Sequence, residues 1–160
     1  MLLQLTQIFD QLPEMKIGQK PYKPIFRFGT REQLAEDLSL KRKTGEKYYP
    51  LVYLETPFNA QENVTLRFIL ATLNLRTDMR NKDRLRYTFE QVLEPLRDNV
   101  LHALLRSGIF RRTFDTPSLN NAYQGEYHFN YHMTPDIWDA LVYEVNLRYV
   151  KDCEVSKIYF

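Results

Sequence analysis

The chain has 160 residues, 22 of them basic and 20 acidic for a formal net charge of +2, with an apolar share of 44% and one cysteine. That is the length and balance of one globular domain, and it argues against general disorder, an intrachain disulfide, or a partner chosen by bulk charge. No run approaches the ~18 apolar residues of a membrane span. The opening "MLLQLTQIFDQLP" lacks a basic leading segment and a small-residue cleavage site, so it reads as a folded helix. A lone thiol fits a reducing compartment or indifference to redox state. Eleven tyrosines and ten phenylalanines against five glycines suit half-buried positions, either within the domain or between subunits.

Leu2, Leu3, Leu5, Ile8, Phe9 and Leu12 recur at helical spacing and Pro13 ends the segment, which predicts a short amphipathic helix. From Pro13 to Pro24 proline, lysine and glycine punctuate the chain, which predicts an extended arm with little apolar content. "PIFRF" reads as a strand. "GTREQLAEDL" opens a helix with Thr30 as N-cap and Gln33 completing a capping box, and with Leu34, Leu38 and Leu40 toward a core. The basic "KRKTGEK" suits its C-terminus.

In "KYYPLVYLETPF" the apolar run Leu51 to Leu54 lies between Pro50 and Pro57, as in a strand buried on both faces. "NVTLRFILATLNL" follows as the longest strand. Val64, Leu66, Phe68 and Leu70 take one face, Thr65, Arg67, Ile69 and Ala71 the other, and the strand is expected to pair with the preceding one. Asn81 to Ser107 is the strongest helical pattern, with Leu85, Phe89, Val92, Leu93, Leu96, Val100, Ala103 and Leu104 at three-and-four spacing and Gly108 at the C-terminal cap. Pro95 either kinks it or divides it into two helices. "IFRRTF" reads as a strand and "DTPSLNNAYQG" as a polar loop. "EYHFNYHM" and "LVYEVNLRYV" alternate as an antiparallel pair, with Leu141, Tyr143, Val145, Leu147 and Tyr149 on one side. The order predicts a single α+β domain over residues 1–160. It has a largely antiparallel sheet of four to five strands, a long helix and shorter helices packed on one face, and an arm at 13–24.

Motif chemistry assigns no catalytic, cofactor or metal residue. The glycines are too far apart for a phosphate loop, and neither a G-x-S-x-G elbow nor an H-E-x-x-H helix occurs. His128 and His132 on one strand would stand about 13 Å apart, too far for one zinc. His102 reads as a hydrogen-bonded residue on a helix flank, and Cys153 as a small half-buried hydrophobe. Glu90 and Glu94 read as a solvated helix face. The chain is therefore expected not to be an enzyme and to need no cofactor. "RTDMRNKDRLR", Arg76 to Arg86, is either a solvated strand-to-helix corner or the contact surface of a small nucleic-acid-binding module that uses Arg80 and Arg84.

The succession of a short N-terminal helix, "YYPLVYL", "NVTLRFILATLNLRTD", the helix ending "LHALLRSG", and the pair "YHFNYHM" and "WDALVYEVNLRYV" resembles the tail-terminator and tail-completion proteins of tailed bacteriophages. "YYPLVYL" is similar to sequences from phages of Bacteroidetes hosts, including the crAss-like group. The resemblance spans roughly residues 2–150 and rests on strand order, not on invariant residues. It implies a non-catalytic virion protein, assembled in the host cytoplasm, that forms a homo-oligomeric ring in the neck between capsid and tail. Its implied partners are other neck, portal or tail proteins, with double-stranded DNA passing through the lumen without sequence-specific binding and no membrane contact. Head-to-tail rings need two different patches per subunit. On that basis Pro21 and Tyr22 of the arm, the tyrosines Tyr48, Tyr49 and Tyr53, the basic Arg80 and Arg84, and Arg111, Arg112 and Tyr123 of the loop 111–125 are the expected interface residues.

Overall fold

The computed structural model describes residues 1–44, 49–59, 61–73, 80–113, 126–128, 138–150 and 153–160. In chain order the elements are α1 (Leu2–Phe9), β1 (Met15–Ile17), β2 (Lys20–Tyr22), β3 (Ile25–Gly29), α2 (Arg31–Thr44), β4 (Leu51–Glu55) and β5 (Asn63–Leu73). After these come α3 (Asn81–Arg84), a π-helical stretch (Leu85–Leu93), α4 (Glu94–Arg106), β6 (Phe110–Arg112), β7 (Glu126–His128) and β8 (Trp138–Tyr149). The protein is α+β. Among the described residues its main sheet has six strands in the order β3-β4-β5-β8-β6, with β7 also paired to β8. Every pairing in it is antiparallel except β3 with β4, whose connection through α2 makes a parallel crossover.

Strict alternation along β5 and β8 sorts the sheet into two faces. Val64, Leu66, Phe68 and Leu70 join Leu141, Tyr143, Val145 and Leu147 in the main core, where α1, the π-helical stretch and α4 cover them. Aromatic rings tie these layers together. Phe9 of α1 lies 4.7 Å from Phe26 of β3 and 5.7 Å from Phe68 of β5, and Phe68 stacks on Tyr143 of β8 at 5.4 Å. Such pairs each contribute about 0.5–1.5 kcal/mol beyond the area they bury.

The other face carries a smaller cluster, in which Leu34 of α2 meets Tyr49, Leu51, Tyr53, Ile69, Ala71, Ala140 and Val142. The helices thus lie on both faces and not on one. A parallel β3–β4 pair requires a crossover, and α2 is that crossover. The side chains of Leu38 and Leu40 lie outside those described.

β4 is the strand bracketed by Pro50 and Pro57, and both of its X-Pro bonds are cis. Leu51, Val52, Tyr53 and Leu54 are fully buried, and the strand is interior, with β3 on one side and β5 on the other. Before α2, Thr30 N–H donates to Gln33 Oε1 at 2.9 Å, and Gln33 N–H donates to Thr30 Oγ1 at 3.3 Å. The capping box therefore forms as the sequence predicts. Gly29 lets this turn press against the sheet: a Cβ there would lie 2.6 Å from both Gln33 Oε1 and Tyr53 Oη. Through that gap the Tyr53 hydroxyl donates to the Thr30 carbonyl at 2.8 Å.

The long helical segment changes winding where proline predicts a break. After the α-helical turn of α3 it is π-helical from Leu85 to Leu93, with Glu94 N–H bonded to the Phe89 carbonyl, and from Glu94 it is α-helical with Pro95 in the first turn. Proline lacks an N–H and crowds the carbonyl four residues back, so a first-turn position accommodates it. Leu85 is the one position of the predicted stripe that turns outward, being 41% exposed. Its place is taken by Arg84, which is buried against β8.

The segment 13–24 is not an extended arm. It is a β1–β2 hairpin turning at Gly18 (φ 66°), with Met15 buried in the main core. Residues 153–160 cross α1 and α4 without regular secondary structure. Gln11 holds this strap from both sides of its amide, accepting from Ile158 N–H at 2.8 Å and donating to the Ser156 carbonyl at 3.3 Å. Gln4 Nε2 donates to the Cys153 carbonyl at 3.1 Å, and His102 Nε2 donates to the Tyr159 carbonyl at 2.8 Å. His102 and Cys153 thus take the structural places expected of them, with Cys153 half-buried against the core.

Candidate partner interface at the sheet edges

The outer strands of the main sheet are β3 on one side and β6 and β7, each paired to a different part of β8, on the other; β3 and β6 stand four strand spacings apart, about 19 Å at ~4.8 Å per spacing. β3 bonds to β4 through Ile25 N–H to the Pro50 carbonyl and Thr56 N–H to the Gly29 carbonyl, both at 2.9 Å. Ile25, Arg27 and Gly29 therefore turn their backbone groups inward, and Phe26 and Phe28 turn theirs out. Arg27 reaches back to the outward Phe26 carbonyl at 2.9 Å. Phe28 is 45% exposed, with its ring 6.1 Å from that of Phe26, so an apolar surface continuous with the core reaches the edge.

At the other end, Val150 N–H donates to the Ile109 carbonyl at 2.9 Å, which turns Ile109 and Arg111 toward β8 and leaves the backbone of Phe110 and Arg112 facing out. Arg111 and Arg112 are exposed. A hollow of about 500 Å³ opens here, lined by Glu62, Thr65, Arg112, Asn146 and Arg148 among others. A second hollow beside it includes Arg111, Arg148 and Glu62. Arg148 and Glu62 form an exposed ion pair. This end of the sheet is cationic and hydrogen-bonding, whereas the β3 edge presents the exposed Phe28 ring beside the Arg27 guanidinium.

Between the two edges, beyond the area that α2 covers, the second face carries a run of alternating charge. Arg31 pairs with Glu55, Arg67 Nε lies 3.1 Å from Glu55 Oε2, and Arg67 Nη1 lies 3.2 Å from Glu144 Oε1. Thr65 Oγ1 bonds Asn146 Oδ1 at 2.6 Å one register step along. Exposed pairs of this kind contribute about 0–1 kcal/mol each. They leave a polar, self-neutralised surface that is poorly suited to selecting a charged ligand.

The predicted interface residues divide by burial. Tyr49 and Tyr53 are enclosed within the subunit and are not available to a neighbour. Burial pushes the Tyr53 phenol well above the ordinary tyrosine range, and Asp37, Glu55 and Glu32 act in the same direction. Arg84 is buried as well, its guanidinium paired with Asp139 at the start of β8, with Nε 3.3 Å from Oδ2. This removes Arg84 from the nucleic-acid reading of the 76–86 corner, because Arg84 anchors the helix to the sheet and does not face solvent. Arg80 is exposed, as is Pro21, and Tyr22 is half-buried on the hairpin. Tyr48 and Tyr123 lie outside the described residues, as do Arg76 to Met79 and His132, and so does most of the loop expected at 111–125. Among the described residues no three His, Cys, Asp or Glu side chains are grouped to hold a metal ion, and no helix is long and apolar enough to cross a membrane.

Sequence reasoning missed Phe28, Glu62 and Arg148. Phe28 sits in "PIFRF", which reads as a strand, and only the strand order reveals it at an edge. Arg148 and Glu62 meet only through the β5–β8 register. Searches against protein-family models, curated proteins and solved structures found no match for this chain.

Proposed function

We propose that the protein is a structural subunit that joins copies of itself head to tail into a ring, as in the neck of a tailed bacteriophage between capsid and tail. The observation that carries the self-assembly part is the chemical difference between the two outer strands of one sheet. A head-to-tail contact joins two unlike patches, whereas a two-fold dimer joins a patch to itself. Here the β3 edge, with its exposed Phe28 ring, and the cationic β6 end lie on opposite sides of one sheet. The neck assignment rests on the order of elements that resembles the tail-terminator proteins. In that setting the partners are neighbouring neck, portal or tail proteins, and double-stranded DNA passes through the lumen without sequence-specific contacts.

Size-exclusion chromatography with light scattering, on the protein alone and mixed with the products of neighbouring genes, tests the proposal. A ring of fixed copy number, alone or in the mixture, is the expected result. A monomer under every condition refutes it. Tight nucleic-acid binding that falls steeply with salt, without assembly, would favour a binding module instead.

A further inference from the structure

We infer that the contact between successive copies is a continuation of the sheet, with β3 of one copy pairing antiparallel with β6 of the next and Arg112 packing against the Phe28 ring. The inference rests on the head-to-tail reading above and names the surface that would carry it.

Three linked features of the fold agree on this pairing. The first is backbone direction. β3 runs parallel to β4, and each step from β4 to β5, β8 and β6 reverses the chain, so β6 runs opposite to β3. A copy repeated around a ring axis without inversion therefore presents β6 antiparallel to β3. Antiparallel strands pair directly between residues whose backbone groups point at each other.

The second feature is hydrogen-bonding parity. Phe26 and Phe28 on β3, and Phe110 and Arg112 on β6, are the residues whose N–H and C=O groups face outward, as the inward bonds of Ile25, Gly29 and Ile109 require. Outward residues meet outward residues, and their side chains fall on one face of the joined sheet.

The third is that face. Phe26 and Phe110 both belong to the main core cluster, so alternation places Phe28 and Arg112 on that same side of the sheet. In either register that keeps parity, Arg112 lies directly across from Phe28 or on the adjacent diagonal, within reach of its long side chain. A guanidinium over an exposed aromatic face is an attractive pair, and its partial desolvation between subunits strengthens it. Open edges with exposed apolar side chains are ready acceptors for an added strand, and the short β3 restricts that addition to a matching segment.

The test uses the full chain with Cys153→Ser and a new cysteine pair, Phe28→Cys with Arg112→Cys, treated with a short bis-maleimide under assembling conditions. The expected result is a ladder of dimers, trimers and larger species from the double variant, and monomer from either single-cysteine variant. A second set keeps the result independent of cysteine chemistry. Phe28→Lys should weaken assembly roughly tenfold or more, the scale of one lost desolvated cation–π contact, and adding Arg112→Glu should restore it. Absence of a ladder from a double-cysteine variant that still assembles, or assembly by Phe28→Lys as strong as by the unmodified chain, overturns this inference and leaves the ring reading standing. Dimers from Phe28→Cys alone would overturn it in favour of two β3 strands meeting across a two-fold axis. Failure of the unmodified chain to assemble with any partner overturns both.

Discussion

Breaking the Arg84–Asp139 pair should cost far more than breaking any other ion pair described. Both side chains are almost fully enclosed, at 3% and 0% exposure, and the pair joins the start of the long helical segment to the start of β8. Asp139→Ala leaves a guanidinium buried without its carboxylate, and such losses run to about 3–5 kcal/mol. That is a large part of the roughly 5–15 kcal/mol that holds a domain folded. With a urea slope of about 2 kcal/mol/M, the unfolding midpoint should fall by roughly 1.5–2.5 M. Arg84→Ala should behave similarly. Replacing both at once, Arg84→Met with Asp139→Leu, should restore most of the loss, because an apolar pair of similar volume avoids desolvating two charges. Circular dichroism through a urea titration reads all four chains. Single variants within about 1 kcal/mol of the parent would refute the reasoning. The same experiment separates stability from binding, since a nucleic-acid defect in Arg84→Ala that tracks unfolding says nothing about a phosphate contact.

Gly29→Ala should destabilise by about 1–3 kcal/mol, because its Cβ enters the space held by Gln33 Oε1 and Tyr53 Oη; thermal melting checks this, and an unchanged midpoint contradicts it. Tyr53 gives the pH dependence. Its phenol titrates above the ordinary tyrosine value of 10.0 in the folded protein, so its contribution is complete below about pH 10 and is lost as pH rises through the folded pKa. Stability should therefore decline on the alkaline side, and tyrosinate absorbance should show one phenol resisting ionisation until unfolding. Tyr53→Phe should flatten that decline while removing the bond to Thr30, for a loss of about 1 kcal/mol at neutral pH. Gln11→Ala should loosen the 153–160 strap, seen as faster amide exchange at Ile158, whose N–H loses its acceptor, with the sheet unchanged.

Local chemistry made much of the fold legible. Thr30 and Gln33 announce a helix start because the capping box needs only side chains three residues apart. The alternation of β5 and β8 declares two faces because their period is two. Leu51 to Leu54 reads as a doubly covered strand, and it is one. Other features depend on which strands become neighbours. The parallel β3–β4 pair places α2 on the second face, and no periodicity encodes that choice. Phe28 reads only as part of a strand until β3 is placed at the edge, and Arg84 looks like surface charge until β8 brings Asp139 beneath it. The tyrosines of "KYYPLVYL" illustrate the same limit: a half-polar ring suits an interface or an interior equally, and at Tyr49 and Tyr53 the interior cluster under Leu34 takes them. The segment 13–24 reads as an arm because its apolar residues are few, yet Met15 and Ile17 are enough to seat a hairpin on the core.

The central claim is that unlike edges of one sheet drive a closed head-to-tail assembly. Native mass spectrometry of the protein across a concentration series, alone and with its neighbouring gene products, tests it most directly. The account predicts oligomers that converge on one copy number larger than two, with Phe28→Lys shifting the series back toward monomer. A series that stops at a dimer, or a chain that stays monomeric with every partner, would contradict it.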